Sequence, residues 1–231
     1  MALRALVVGG SVGGLFAALL LRTLGWEVEV FERATDDLAG RGAGIGTRPE
    51  LFAILKRCGV EVDLSMGVEV VSRKFIERDG RVSGEYAVPS TNSAWDRVYQ
   101  PLKRTFPAAH FHAGRAVQDI EPGTQSATAV FADGSRIEAD LIIGADGVHS
   151  TVRPRLFPEA KPRYAGYYAW RGVLDESALE GEAHGLLFHH MAFARPEGEL
   201  ILSLPMAGRD NDVRVGHRRY HFIWFRPASE A

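Results

Sequence analysis

A glycine-rich segment close to the N-terminus has the residue types and spacing of a site for a phosphate-bearing ligand. The sequence LRALVVGGSVGG predicts a buried strand that turns at Gly9 into a helix, against which Gly14 permits close packing. Backbone N–H groups at the start of that helix, together with the helix dipole, would attract a pyrophosphate. The pattern is the dinucleotide motif G-x-G-x-x-G with Ser11 at the second glycine position. The predicted site residues are Gly9, Ser11, Val12, Gly13 and Gly14.

An acidic residue follows at the distance expected for contact with a ribose. A helix is predicted from Leu15 to Leu24, and the strand Glu27–Phe31 then leads into Glu32, 23 positions after Gly9. In a βαβ unit, an acidic residue about 20 positions after the glycine turn binds the ribose hydroxyls. The alternative is a βαβ unit in which Glu32 is only solvated.

A second strand and glycine turn repeat this arrangement further along the chain. The apolar segment Leu141–Ile143 runs into Gly144-Ala145-Asp146-Gly147, and Ser150 lies near the start of a predicted short helix. An Asp-Gly pair is also common where a strand simply ends, so the segment alone leaves both interpretations open. Two such turns in one chain are expected to meet at one ligand, which would place Asp146 next to the Gly9–Gly14 turn.

Composition limits the partners and the compartment. The 231 residues are 46% hydrophobic, which is ample for a packed core, and a net charge of −2 gives no field that attracts nucleic acid or a membrane surface. Cys58 is the only cysteine, which excludes an intramolecular disulfide and a cysteine-rich metal site and favours the cytoplasm. His189 and His190 are adjacent and would point apart, so no metal site is expected. No segment has the features of a membrane span or signal peptide.

The connecting segments carry helix and loop signals. Three glycines within RGAGIG predict that residues 34–46 form a loop beside the nucleotide. Thr47 and Glu50 have the spacing of a capping box, as do Ser93 and Asp96, and each pair predicts the start of a helix.

Strand patterns occupy most of the remaining chain. Val68–Ile76 and Arg81–Val88 are predicted to form a hairpin around Asp79-Gly80, and a β-meander is expected between 115 and 143. Phe222–Phe225 is predicted to be a strand that forms an exposed apolar edge.

The two glycine motifs together resemble those of the class A flavoprotein monooxygenases, the single-component FAD-dependent aromatic hydroxylases. GGSVGG is followed by FER, and LIIGADGVHSTVR places Ser150 and Arg153 at the spacing of the family motif. The resemblance covers essentially all of the chain. It implies an α/β fold, with a Rossmann-like FAD-binding domain of the glutathione-reductase type that includes a β-meander, plus a truncated β-sheet-rich substrate domain.

The resemblance also implies domain boundaries. The FAD-binding domain is expected to be discontinuous and to comprise 1–70 and 98–157. The substrate domain is expected to comprise 71–97 and 158–231.

The resemblance further assigns residues to parts of FAD. The Gly9–Gly14 turn would hold the pyrophosphate, with Glu32 on the adenosine ribose and Arg33 over the adenine. The alternative for Arg33, and for Arg41 below, is a solvated loop charge that does not contact the cofactor. The remaining implied contacts are Arg41, Gly44 and Ile45 near the pyrophosphate and flavin, Val117 through its backbone near the adenine, and Asp146 with Gly147 near the pyrophosphate.

The implied activity is hydroxylation of an electron-rich aromatic or N-heteroaromatic ring, such as a dihydroxypyridine. In this family NADH or NADPH reduces FAD as a transient co-substrate, and O2 then forms a flavin C4a-hydroperoxide that transfers oxygen to the ring. The implied partners are a small aromatic substrate and O2. Self-association is expected to give a homodimer, and no nucleic acid or membrane partner is expected. No catalytic side chain is assigned.

Two further hypotheses stay open. Family members continue past the length of this chain and carry a third Gly-Asp motif, so these residues are expected to represent the N-terminal part and to turn over poorly alone. The first alternative is a flavin-binding fragment without turnover. The second is an NAD-dependent dehydrogenase built on one Rossmann unit. The single complete G-x-G-x-x-G-like turn argues against a reductase that binds two dinucleotides.

Overall fold

The computed structural model describes residues 2–38, 44–63 and 66–230. Contacts between Cα atoms divide the chain into two compact units, each assembled from separate stretches of sequence. The first unit comprises Met1–Ala39, Phe52–Val62 and Tyr99–Arg163, and the second comprises Gly40–Leu51, Asp63–Val98 and Tyr164–Ala231.

The first unit is built on a parallel four-stranded sheet. Its order is β10-β1-β2-β6, and α1 connects the two central strands. Leu6, Val7 and Val8 are buried because a central parallel strand is covered on both faces. The bounds are β1 (Arg4–Val8), α1 (Val12–Thr23), β2 (Glu27–Glu32), β6 (Phe111–Ala113) and β10 (Leu141–Gly144).

An antiparallel meander packs against this sheet. It consists of β7 (Val117–Pro122), β8 (Ala127–Phe131) and β9 (Arg136–Ala139), in agreement with the predicted meander. The meander is predicted to reach residue 143, but it ends with β9. Asp140 then accepts a hydrogen bond from the Arg4 N–H at 2.7 Å, and the chain enters the parallel sheet as β10. The shared apolar cluster includes Leu6, Val8, Phe31, Val117, Phe131 and Val152.

The second unit contains a mixed seven-stranded sheet of order β11-β14-β13-β12-β4-β5-β3. The predicted hairpin is present, and its second strand continues past Val88 to Ala94. The bounds are β3 (Gly44–Gly46), β4 (Val68–Ile76), β5 (Val82–Ala94), β11 (Tyr167–Asp175), β12 (His190–Ala194), β13 (Leu200–Met206) and β14 (Arg219–Pro227).

Four further helices complete the described chain. The helix α3 continues through Pro101, although proline in a helix interior commonly kinks or ends a helix. The bounds are α2 (Pro49–Arg57), α3 (Trp95–Thr105), α4 (Arg153–Leu156) and α5 (Gly181–Leu187).

The helix starts predicted after Thr47 and Ser93 are confirmed by α2 and α3, whereas the loop predicted over residues 34–46 is wrong at its end. Gly44–Gly46 forms β3 and pairs with β5. The Thr47 hydroxyl donates to the Thr91 carbonyl, and the Ser93 hydroxyl donates to the Met66 carbonyl. Both hydroxyls donate to carbonyl oxygens that are distant in sequence, and the local spacing of residues cannot predict such partners.

The predicted exposed edge at Phe222–Phe225 is also wrong. These residues belong to β14, which pairs on one side with β11 and on the other with β13. On this side of the sheet the edge strand is β11, whose Trp170 is 59% exposed.

The boundaries of the two units differ from the predicted domain boundaries, and the pairing of strands explains the difference. Gly40–Leu51 and Asp63–Val70 group with the second unit, since β3 and β4 both pair with β5. The assignment of each unit to cofactor or substrate stays a prediction.

A buried ion pair fastens the segment before α5 to the start of β14. The Glu176 carboxylate accepts hydrogen bonds from the Arg218 guanidinium at 2.6 and 2.9 Å and from His184 Nε2 at 2.7 Å. Burial alone would raise the pKa of Glu176, but the bonds from Arg218 and His184 lower it to about 2. The carboxylate is therefore charged across the physiological range.

Candidate functional site

The turn between β1 and α1 requires glycine at two positions. Gly9 has a φ of 108°, and a Cβ there would lie 2.3 Å from the Ala145 carbonyl oxygen. A Cβ at Gly14 would lie 1.8 Å from the Gly9 carbonyl oxygen. These contacts leave no room for a side chain: Gly14 lets α1 pack against the strand as the sequence predicts, and Gly9 lets the backbone of Ala145 approach the turn.

The N-terminus of α1 is open on the side of the turn. A Cβ at Gly13 would meet no atom within 4 Å, and the Ser11 side chain makes no capping hydrogen bond. The N–H groups of Val12, Gly13 and Gly14 lie in the first helical turn, where they have no acceptor within the helix. Together with the helix dipole, these donors form a site suited to a pyrophosphate.

Glu32 lies at the end of β2 with its carboxylate turned toward the glycine turn. Its Oε2 accepts the Gly10 N–H at 2.8 Å, and its Oε1 accepts the Ala34 N–H at 2.9 Å. The residue is 8% exposed. Each carboxylate oxygen has a second lone pair, so the fixed carboxylate can also accept a ribose hydroxyl.

Several residues near Glu32 escaped the sequence analysis. The Phe111 ring lies 2.5 Å from the position of a Cβ at Gly10, and the Lys103 ammonium lies 2.7 Å from the centre of that ring. Burial lowers the pKa of Lys103 to about 8, although the charges of Asp37 and Glu32 oppose the shift. No local motif marks these positions, because pairing of β2 with β6 brings Phe111 to the site.

Burial also raises the pKa of Tyr99 to about 12, and the nearby charges of Asp37 and Glu32 add to the shift. The Tyr99 hydroxyl is therefore neutral at physiological pH, so it adds no charge beside Glu32.

The second glycine turn lies against the first one. The Ala145 N–H donates to the Val8 carbonyl at 2.7 Å, and a Cβ at Gly9 would lie 3.0 Å from the Asp146 backbone nitrogen. Gly147 has a φ of 76° with open space where a Cβ would lie. The structure therefore brings Asp146 and Gly147 to the Gly9 turn.

The Asp146 carboxylate organises the residues that follow it. Its Oδ1 accepts the Ser150 hydroxyl at 2.6 Å, and its Oδ2 accepts the N–H groups of Thr151 at 2.6 Å and Val152 at 3.2 Å. Arg153 closes the segment by donating to the Val148 carbonyl at 2.7 Å. A direct or water-mediated contact of Asp146 with the cofactor stays a prediction.

The other predicted contacts are placed differently from these. Val117 is a buried member of the apolar cluster in the first unit, and the side chain of Arg33 is exposed. Gly44 and Ile45 lie on β3 in the second unit. Arg41 falls outside the described residues.

The arrangement in the first unit fits FAD. The open helix N-terminus suits the pyrophosphate, and the fixed Glu32 carboxylate suits the ribose at the expected end of β2. Among residues 2–38, 44–63 and 66–230, no group of three or more His, Cys, Asp or Glu side chains is placed to hold a metal ion. Within the same ranges, none of the helices has the length and apolar character needed to cross a membrane.

Comparison with known proteins identifies relatives over nearly the whole chain. Residues 2–221 match the family described as FAD binding domain. The chain is 33% identical over 232 residues to 2,6-dihydroxypyridine 3-monooxygenase of Paenarthrobacter nicotinovorans, which covers 98% of this chain and 56% of that protein. It is 34% identical over 182 residues to 6-hydroxynicotinate 3-monooxygenase of Pseudomonas fluorescens, which covers 74% of this chain and 47% of that protein.

A solved structure is similar as well. The chain matches 2,6-dihydroxypyridine-3-hydroxylase from Arthrobacter nicotinovorans with a TM-score of 0.90 and 32% identity, over 100% of this chain and 58% of that one. The predicted α/β fold class is confirmed. The chain spans about half the length of the curated relatives it matches.

The family match and the geometry of the first unit support each other. The match covers most of the chain, and the two glycine turns from which the resemblance was inferred lie side by side. The resemblance is therefore confirmed, and the chain belongs to the FAD binding domain family.

Proposed function

We propose that this chain provides the FAD-binding part of an NAD(P)H-dependent flavoprotein monooxygenase that hydroxylates an electron-rich N-heteroaromatic ring. The observation that carries the proposal is the meeting of the two glycine turns beside the buried Glu32 carboxylate. The whole reaction would consume one ring C–H, O2, NAD(P)H and a proton, and would yield the ring C–OH, water and NAD(P)+.

The residues of the first unit would bind and orient the cofactor. The N–H groups at the start of α1 would hold the pyrophosphate, and Glu32 would accept a ribose hydroxyl. Asp146 would keep the second turn in place, so that Gly147 offers backbone without a side chain at the cofactor. When bound, FAD would supply the redox chemistry by accepting a hydride from NAD(P)H and activating O2.

The substrate class is supported by the relatives. The names of two of them specify 2,6-dihydroxypyridine and 6-hydroxynicotinate, which are both hydroxylated pyridines. Hydroxyl groups donate electrons to the ring and favour attack by an electrophilic oxygen. We therefore propose a hydroxylated pyridine as the substrate of the whole protein.

The roles of the two units belong to the same proposal. The first unit would be the FAD-binding domain and the second the substrate domain. A cytoplasmic location is supported by the buried free thiol of Cys58, and a homodimer by the exposed edge strand β11. Light scattering on the purified chain would measure self-association.

The experiment is reconstitution of the purified chain with FAD, followed by assays with 2,6-dihydroxypyridine. We expect a flavin absorbance spectrum, NADH or NADPH oxidation that rises when the pyridine is added, and a product heavier by one oxygen atom. FAD binding without product would favour the flavin-binding fragment without turnover. Binding of NAD+ in place of FAD would favour the dehydrogenase.

A further inference from the structure

The second unit contains two fully buried polar side chains without partners. Within the described part of the chain, neither ring nitrogen of His221 and neither polar atom of the Asn92 amide has a hydrogen-bond partner. Both residues are 0% exposed. Buried polar atoms are nearly always paired in native proteins, so four unpaired atoms on two side chains indicate a missing partner.

Both side chains approach the same side of β3. His221 Nδ1 lies 3.3 Å from the position of a Cβ at Gly44, and Asn92 Oδ1 lies 3.9 Å from the corresponding position at Gly46. Alternate residues of a strand point to the same side and are about 7 Å apart, so the two polar groups face one stretch of β3 at about that separation.

Apolar side chains surround these polar groups. Leu204 and Met206 lie within 3.0 and 3.6 Å of the same Gly44 position as His221, and Met191 lies 3.6 Å from the Gly46 position. An apolar lining with a few convergent polar groups is typical of small-molecule sites.

The neighbouring residue on β14 does not share this property. Tyr220 points to the opposite face of the sheet, where its hydroxyl donates to the Ser203 hydroxyl at 2.9 Å, and it is also buried, with 3% exposed. The unpaired atoms are thus a feature of the side that faces β3, and not of the strand as a whole.

The protonation state of His221 defines what it could bind. Burial lowers the pKa of His221, and the charge of Arg171 adds to the effect. A neutral imidazole offers one N–H donor and one nitrogen acceptor. Asn92 offers a carbonyl acceptor and an NH2 donor.

We propose that His221 is a specificity-determining residue that hydrogen-bonds the ring of a planar hydroxylated N-heteroaromatic substrate, with Asn92 as the second polar contact. This inference rests on the proposed function. Such a ring carries both hydrogen-bond donors and acceptors at its edge, which matches the imidazole and the amide. A ring that lacks these groups would leave the buried atoms unpaired and would be rejected.

The test compares His221→Phe with the matched control Tyr220→Phe. Thermal unfolding is recorded without FAD, FAD affinity is measured by fluorescence titration, and the affinity for 2,6-dihydroxypyridine is measured from its perturbation of flavin absorbance. For His221→Phe we expect an unchanged or higher Tm, FAD affinity within twofold of wild type, and at least tenfold weaker binding of the pyridine. Tyr220→Phe should lower the Tm and leave pyridine affinity unchanged. His221→Gln retains a donor and an acceptor and should recover part of the affinity.

The outcomes separate this inference from the proposed function. A lower Tm for His221→Phe with unchanged pyridine affinity would make His221 a structural residue and overturn the inference. Wild-type chain that binds FAD but does not respond to the pyridine would overturn it as well, while FAD binding stands. If the wild type does not bind FAD, the proposed function fails, and the inference is then tested by the shift in Tm that the pyridine causes without FAD. A shift in the wild type that is lost in His221→Phe supports the inference. The absence of a shift in the wild type overturns it.

Discussion

Replacing Glu32 with glutamine is expected to lower the stability of the chain. The carboxylate accepts the N–H groups of Gly10 at 2.8 Å and Ala34 at 2.9 Å in a nearly buried position. Glutamine has one acceptor oxygen, so its NH2 group must face one of these two donors. Leaving a buried donor unpaired costs about 1–3 kcal/mol, and we expect the free energy of unfolding to fall by that amount.

The same change is expected to weaken FAD binding by a separate mechanism. A ribose hydroxyl donates to a carboxylate more strongly than to a neutral amide, because a hydrogen bond to a charged group contributes about 1.5–3 kcal/mol. A bond to a neutral amide contributes about 0.5–1.5 kcal/mol, so the loss is about 1–1.5 kcal/mol, which corresponds to about 5- to 13-fold in the dissociation constant. Fluorescence titration of the apoprotein with FAD measures the affinity, and chemical denaturation measures the stability.

Glu29→Gln provides the matched control. Glu29 precedes Glu32 on the same strand, forms a half-buried ion pair with Arg4 at 2.7 Å and lies 3.1 Å from His112 Nε2, within hydrogen-bond distance. Its replacement is expected to cost up to about 1 kcal/mol of stability and to leave FAD affinity unchanged. Wild-type FAD affinity in Glu32→Gln would refute the assigned role, and equal weakening in both variants would show that loss of charge on β2, and not contact with ribose, is responsible.

Three further predictions concern packing and titration. Gly14→Ala places a Cβ 1.8 Å from the Gly9 carbonyl oxygen, so FAD affinity should fall at least tenfold in the same titration; unchanged affinity would contradict the packing argument. Glu176→Gln should lower the free energy of unfolding at pH 7 by about 3–5 kcal/mol, because it leaves the Arg218 charge buried and unpaired. The pKa of Glu176 is lowered to about 2, so the wild-type advantage should persist above pH 4.5 and disappear as the pH falls toward 2 in denaturation curves. Lys103→Met should stabilise the chain at pH 7 by about 1 kcal/mol, a value reduced for partial exposure and for the ring contact that favours the ammonium. Since the pKa of Lys103 is lowered to about 8, that gain should vanish as the pH rises from 8 to 10.5, and a gain that does not depend on pH would contradict this origin.

The cofactor turns could be predicted from the sequence because their causes are local. An apolar run before Gly9 predicts a buried strand, and the glycines follow from contacts within the turn or with the strand beside it. The spacing from Gly9 to Glu32 is set by one helix and one strand, whose lengths vary little in a βαβ unit.

The hydrogen bonds donated by two polar side chains between the turns could not be predicted, because their partners are distant in sequence. Thr47 and Ser93 have the spacing of helix caps, yet their hydroxyls bind carbonyls 44 and 27 residues away. A local pattern can only propose a local partner. The same limit hides His221, since its lack of partners appears only when β14 and β3 are placed together.

The two acidic residues beside the glycine turns have similar sequence contexts but different surroundings. Glu32 holds two backbone N–H groups from separate segments, Gly10 in the glycine turn and Ala34 after the strand, so its carboxylate faces the ligand side of the turn. Among the described residues, Asp146 instead accepts from residues that follow it, Ser150 to Val152, so its carboxylate is directed into its own turn. We therefore expect the first motif to contribute its side chain to recognition and the second to contribute backbone, with Gly147 in a conformation that other residues rarely adopt. This difference explains why the second motif is fixed by a serine and an arginine as well as by its Asp-Gly pair: a site made of backbone needs side chains elsewhere to hold its shape.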